Sequence, residues 1–245
     1  MRLLLALLAF ALPLSARAQT PAPAGPPLPL TNYYEVATPL GRIVVKLFDE
    51  TPLHRDNFKR LVARGFYDST YFHRIIEGFV VQGGDPNTRD TVLENDGIGD
   101  PGYTVPAEIG LPHFRGALAA ARQPDEINST RASSGSQFYF VQGRIANDAW
   151  LDEARTMVRQ TTGDTTFDWP EFVRNRYKLT GGIPFLDSQY TVFGEIVEGL
   201  DVLTALSLVD TPRKHSDGGL WADRPLTPLR IAVYPLDVYL PTGDH

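Results

Sequence analysis

Apolar and polar positions alternate in short stretches along most of this chain, and short alternating runs bounded by turn residues predict strands. Tyr34-Glu35-Val36 and Ile43-Val44-Val45-Lys46-Leu47-Phe48 read as two strands joined at Pro39-Leu40-Gly41, a hairpin signal. Tyr71 to Asp85 reads as two more, joined by a Glu77-Gly78 turn, with Phe72, Arg74 and Ile76 on the face opposite His73 and Ile75. Further strands are expected at Gly116 to Ala121, at Ser136 to Val141 and at Tyr190 to Gly194, with closing strands between Leu229 and Leu240. Small residues crowd Gly116-Ala117-Leu118-Ala119-Ala120-Ala121, where another chain or a ligand can approach closely.

The helical period of 3.6 surfaces in few places. Phe58, Leu61 and Val62 form one stripe, with Thr51 as expected N-cap, Pro52 in the first turn and Gly65 at the end. Val197 to Leu208 reads as a second short helix. Between them lies a segment that breaks the strand rhythm, about 144–182. Trp150, Ala154, Met157 and Val158 fall on one helical face, and Trp169, Phe172, Val173 and Tyr177 on another. Asp168 is the expected cap of the second of these helices and Gly181 its end. The segment therefore reads as an inserted helical hairpin, either a decoration packed on the barrel flank or a border of a substrate groove. Many short strands and two flanking helices predict a mainly β fold, a closed antiparallel barrel, in one domain from residue 32 to 245.

The N-terminus changes the picture of where the domain works. Met1-Arg2, the apolar run Leu3 to Leu14 and the small-x-small triplet Ala16-Arg17-Ala18 form a secretory signal over 1–18, cleaved before Gln19. The apolar run is shorter than the roughly 20 residues of a membrane span, so no stable membrane insertion is expected after cleavage. Residues 19–31, rich in Pro and Ala, form an extended linker. A periplasmic or secreted protein is expected, and a chain without cysteine needs no disulfide there. The net charge of −6 becomes −8 without Arg2 and Arg17, and no basic tract offers a nucleic-acid surface.

Few kinds of chemistry find their residues. The five histidines lack metal-ligand spacing, so no metal site is expected. Asp96 and Asp100 do not follow the calcium-loop pattern, and turn formation accounts for that loop. Ser136 stands outside the Gly-x-Ser-x-Gly elbow of serine hydrolases. What remains is one arginine and one glutamine beside aromatic residues, suited to a ligand that is apolar at one end and carries a carbonyl at the other.

The stretch Tyr71 to Asp85, with its Phe72-His73-Arg74-Ile75-Ile76 and Phe79-Val80-Val81-Gln82-Gly83-Gly84, resembles the signature of the cyclophilin peptidyl-prolyl isomerases. Three further blocks resemble the family in the right order: Gly116 to Arg122, Ser134-Gly135-Ser136-Gln137-Phe138-Tyr139, and Leu186-Asp187 through Val192-Phe193-Gly194. One such block is a weak signal; four in order are a strong one. The resemblance implies an eight-stranded barrel with two flanking helices, and rotation about Xaa-Pro bonds without cofactor or metal. It implies Arg74 and Gln82 as catalytic residues, and a proline pocket of Phe79, Val80, Tyr139 and Leu186. It implies that Gln137, with Gln82, binds substrate backbone and steadies the arginine, and that Ala121 and Arg122 pair with the peptide. Phe185 stands where many members carry tryptophan and Tyr190 where many carry histidine; Arg122 replaces a common asparagine, Val80 a methionine and Tyr139 a phenylalanine. These changes bear on ligand preference, including any response to cyclosporin-like ligands. The expected protein is a monomer acting on proline-containing polypeptides, assisting the folding of exported proteins. The alternative is a non-catalytic proline-peptide binding module or holdase on the same barrel.

Overall fold

The computed structural model describes residues 28–215, 219 and 221–239. The signal sequence, most of the expected linker and Leu240 lie outside the described residues. The chain begins with the expected hairpin, β1 (Tyr33–Thr38) and β2 (Gly41–Leu47), paired antiparallel from Tyr33↔Lys46 to Thr38↔Gly41. Helix α1 (Pro52–Ala63) follows, then β3 (Arg74–Ile76), β4 (Val80–Gly83), β5 (Thr104–Val105), β6 (Ala117–Ala120), β7 (Ser133–Ser134) and β8 (Phe138–Val141). The insertion is α2 (Asp148–Thr162) and α3 (Glu171–Thr180), after which come β9 (Val192–Glu198), α4 (Leu200–Ser207) and β10 (Ala232–Pro235).

Eight strands form one curled sheet in the order β10-β1-β2-β9-β6-β8-β4-β3, and β5 pairs separately with β7. The sheet is an open half-barrel, not the closed barrel expected from the sequence. Its edges β10 and β3 do not pair as strands. The backbone just before each edge makes an isolated bridge, Tyr71↔Arg230, and bonds such as Phe72 N–H to Leu229 O at 3.2 Å. β3 is three residues long and β10 four, and Pro225 and Pro228 lack the N–H groups that would lengthen a ladder here.

Alternation along the strands sorts side chains between two cores. Val81, Leu118, Ala120, Phe138 and Phe140 face inward, where α1 contributes Phe58, Leu61 and Val62 and α4 contributes Leu203 and Leu206. Val80, Ala117, Ala119, Tyr139, Val141 and Val192 share the opposite face and form a second cluster, to which Phe79, Leu186 and Tyr190 add from loops. The functional groups gather on that outer face.

Several local expectations are corrected. Phe72 lies before β3 and packs in the inner core with Ile75, so the strand alternation begins only at Arg74. Thr51 occupies the N-cap of α1 but its hydroxyl makes no cap bond. The carboxylate of Glu108 does that work: it accepts from Leu53 N and His54 N, both at 3.0 Å, and lies 2.7 Å from His54 Nδ1. A helix N-terminus carries unsatisfied N–H groups and a partial positive charge, which suits a carboxylate from any distance along the chain. Val197 belongs to β9, not to the helix after it. Gly199 adopts φ +96°, a left-handed conformation that breaks the chain between the two elements.

In the inserted hairpin, Pro170 precedes α3, while Asp168 pairs with Arg155 and bonds its neighbour Trp169 N instead of capping the helix. Leu151, Ala154 and Val158 of α2 pack on Trp169, Val173 and Tyr177, but Met157 and Phe172 point outward. Among the described residues, no helix is long and apolar enough to cross a membrane.

Candidate active site

The β3–β4 hairpin pairs Arg74 directly with Gln82, and β4–β8 pairs Gln82 with Tyr139, which is opposite Ala119 on β6. One transverse row therefore runs Arg74, Gln82, Tyr139, Ala119 across four strands. Residues directly opposite in antiparallel strands have side chains in contact, so register alone brings the guanidinium, the amide and the phenol ring together.

Arg74 is held in place by a chain of bonds. Its Nη1 donates to Gln82 Oε1 at 3.2 Å, and Gln82 Nε2 donates to Gln137 Oε1 at 3.1 Å. Gln137 Nε2 donates to the carbonyls of Gly97 and Gly99, at 3.0 and 2.9 Å. The carbonyls are fixed in turn, because the fully buried Asp85 accepts from Gly97 N and Gly99 N. Every amide in this series has one consistent direction of donation, so the arginine's position is set from deep in the protein. The guanidinium carbon lies 5.7 Å from the Phe79 ring centre, and Nε is 3.9 Å from Asp223 Oδ2. The Arg74 side chain stays 42% exposed, so donor groups remain open to a ligand.

A cavity of about 150 Å³ lies beside this arginine, lined by Arg74, Phe79, Val80, Gln82, Ala121, Arg122, Tyr139, Leu186 and Tyr190. Nine of the eleven residues singled out from the sequence thus meet in one cavity. Gln137 lines the neighbouring cavity of about 320 Å³, together with Ile98, Thr104, Gln123 and Ile127. Phe185 stands behind the wall, its ring stacked on Phe79 at 6.0 Å and 11°. Arg122 directs its side chain into the protein: Nε donates to Gln189 O at 2.9 Å, Nη1 lies 2.5 Å from Asp125, and the guanidinium covers Tyr190 at 4.4 Å. Burial raises the Tyr139 phenol far above its ordinary pKa, so it stays a neutral donor.

His73, expected to face away from Arg74 as a packed side chain, is buried, yet it lines a third cavity of about 240 Å³ that also touches Arg74 and Gln82. Trp221, Asp223 and Arg224 close that cavity, with Arg224 Nη1 paired to Asp96 at 2.6 Å. Sequence reasoning missed this C-terminal segment, because its role rests on contacts about 150 residues away with no motif of its own. It also passed over Asp85 and His113; a buried Asp beside the glycine pair of the signature was the one local hint.

The curled sheet with a buttressed arginine beside a cavity walled by Phe79, Val80, Tyr139 and Leu186 defines a cyclophilin fold, and solved structures agree. A crystal structure of a Cryptosporidium parvum cyclophilin type peptidyl-prolyl cis-trans isomerase, in the presence of the dipeptide Ala-Pro, superposes with TM-score 0.56 at 22% identity, over 83% of this chain and 98% of that one. Another crystal structure of that parasite protein gives 0.57. The family model for cyclophilin type peptidyl-prolyl cis-trans isomerases matches residues 33–234. The chain belongs to the cyclophilin-type peptidyl-prolyl cis-trans isomerase family of enzymes. Among curated relatives, a Staphylococcus haemolyticus protein is 35% identical over 162 residues, 65% of this chain and 72% of the relative. A Staphylococcus saprophyticus protein is 31% identical over 191 residues, 71% and 86%. Both names give the isomerase activity provisionally.

Proposed function

We propose that the protein isomerises Xaa-Pro bonds by seating the proline ring in the cavity of Phe79, Val80, Tyr139 and Leu186 while Arg74 stabilises the twisted amide. The observation that carries this is the position of Arg74, fixed by Gln82 at the mouth of a cavity of about 150 Å³. Rotation about a prolyl bond faces a barrier of about 18–20 kcal/mol from amide resonance. In the twisted state the proline nitrogen loses that resonance and gains a lone pair. A guanidinium N–H directed at this nitrogen is bonded more strongly in the transition state than in either planar ground state, which is the condition for catalysis. The donor is always charged and carries no proton that must be moved, so no acid, base or cofactor enters the step. Gln137 and the Ala121–Arg122 segment would align the peptide backbone on the other side of Gln82. The Ala-Pro dipeptide present with the structural relative fits a ligand of this kind.

The N-terminal export signal supports unfolded or folding exported proteins as substrates, in the periplasm or outside the cell. The changes at Val80, Phe185 and Tyr190 bear on whether cyclosporin-like ligands also bind. The test is the cis-to-trans rate of an Ala-Pro test peptide with the purified protein and its Arg74→Ala variant. Loss of one transition-state donor predicts a fall in kcat/KM of roughly 100- to 1000-fold with the fold unchanged. A well-folded parent that binds the peptide without accelerating isomerisation would establish the holdase or binding-module reading instead.

A further inference from the structure

The inserted hairpin does not line the cavity at Arg74; its contacts converge on the residues that do. Asp187, next to the cavity wall residue Leu186, is 3% exposed. Its Oδ2 accepts from Trp169 Nε1 at 2.8 Å and from Tyr177 OH at 2.7 Å, both from the hairpin. Its Oδ1 accepts from His113 N at 2.8 Å and lies 2.8 Å from His113 Nδ1. Three donors, His113 N, Trp169 Nε1 and Tyr177 OH, already face this carboxylate, and the His113 tautomer with its proton on Nδ1 supplies a fourth. That leaves Nε2 as an acceptor, and the Tyr139 hydroxyl lies 3.1 Å from it. The imidazole is stacked along the Tyr139 ring at 6.2 Å and 14°, and it meets Tyr190 edge-on at 6.3 Å. Two walls of the cavity thus rest on one histidine, whose orientation depends on a carboxylate half-satisfied by the insertion.

A second set of contacts runs from the other end of α2. Arg131 Nη2 donates to Thr161 O at 2.9 Å while its Nη1 donates to Ser188 O at 3.1 Å. The same arginine is paired with Asp125, which pairs with Arg122 above Tyr190. A hairpin that merely covered apolar surface would need Val158 and Val173, not an indole N–H and a phenol directed at the same buried carboxylate outside the hairpin.

We propose that the inserted hairpin sets the shape of the proline cavity through Asp187 and His113, so that Trp169, Tyr177, Asp187 and His113 are positioning residues for Tyr139 and hence for peptide affinity. The proposal rests on the reading of that cavity as the proline pocket. Loss of the Trp169 and Tyr177 donors frees the carboxylate to turn, His113 loses its fixed orientation, and the Tyr139 ring is no longer held against the ligand. The effect travels through the Tyr139 hydroxyl and therefore requires it.

The test is a cycle on the full protein: parent, the pair Trp169→Phe with Tyr177→Phe, Tyr139→Phe, and all three together. Exchange NMR with an Ala-Pro peptide reads Kd and the on-enzyme isomerisation rate separately. Coupled neighbours of this kind predict that the pair weakens peptide binding about fivefold in the parent, with the on-enzyme rate changed less than about twofold, and that the weakening falls below about twofold once Tyr139 is Phe. Tyr177→Phe alone, the gentlest change to packing, is expected to give part of the same loss. Equal weakening in both Tyr139 and Phe backgrounds, or none in the parent, overturns the proposal. A parent that turns over peptide without this coupling refutes the relay alone, whereas a parent without turnover refutes the isomerase reading and leaves the Kd cycle valid. The 15N shift of His113 Nε2 decides the matter even without bound peptide: it should move toward a free imidazole nitrogen in the pair as it does in Tyr139→Phe, and an unmoved signal overturns the relay.

Discussion

Replacing His73 by Phe should flatten the acid side of the stability profile. The imidazole is 9% exposed, and among the described residues neither ring nitrogen has a hydrogen-bond partner. Burial pushes its pKa down from 6.5 to about 4; Arg74 and Arg224 add to the fall and Asp96 opposes it. The unfolded chain therefore takes up a proton before the folded one does. Stability is complete above the unfolded pKa of 6.5 and is lost as pH falls toward the folded value of about 4. With these two values, the loss relative to pH 7.5 is about 2 kcal/mol at pH 5 and about 3 kcal/mol at pH 4. Phenylalanine keeps the ring and cannot take the proton, and it forfeits no hydrogen bond. Urea denaturation at pH 7.5 and 5.0 measures the difference for each protein, and His54, also lowered by burial, contributes equally to both. The parent should lose about 2 kcal/mol more than His73→Phe across that interval. Parallel profiles would mean that His73 reaches solvent or a hydrogen-bond acceptor, and would refute the argument.

Two stability predictions accompany this one. Glu108→Ala removes the acceptor of Leu53 N and His54 N at the start of α1, and should cost about 1–2 kcal/mol in a urea melt, whereas Thr51→Val, at the nominal cap, should cost under about 0.5 kcal/mol; the reverse order would show that the threonine caps the helix in solution. Gly182→Ala should be more damaging, because Gly182 has φ +149° and an added Cβ would lie 2.3 Å from His113 O where the hairpin rejoins the sheet; a loss of about 2–4 kcal/mol is expected, and a variant as stable as the parent would contradict the close approach.

What was legible in the sequence was local. The β1–β2 hairpin follows from Pro39-Leu40-Gly41, and the Glu77-Gly78 turn from its glycine, because these features act within a few residues. The two inserted helices could be placed from their period, but not which of their apolar residues would be buried. Phe172 is 72% exposed although it shares a helical face with Val173, since the hairpin packs on one side of α3 only. Capping failed as a sequence argument wherever the cap came from afar. Glu108 replaces Thr51 across 57 residues, and no spacing rule reaches that distance.

The site divides along the same line. Arg74 and Gln82 are adjacent because a tight hairpin pairs them, so the motif alone implied their meeting. The support beneath them is of another kind. Asp85, Gly97, Gly99 and Gln137 converge by loop closure, and His113 meets Asp187 across 74 residues with nothing in either neighbourhood to announce it. Both supports are carried by buried side chains whose polar atoms need partners, and that need leaves few permitted arrangements. The outer face could therefore change Val80, Phe185 and Tyr190 and still keep the arginine fixed, because the bonds that fix Arg74 run through Gln82, Gln137 and the Asp85 loop and through none of those three positions. The positions proposed to set ligand preference and the bonds that fix the arginine thus involve separate sets of residues. The helical insertion is attached to the first set, through Asp187, His113 and Tyr139, and makes no link in the chain that holds Arg74.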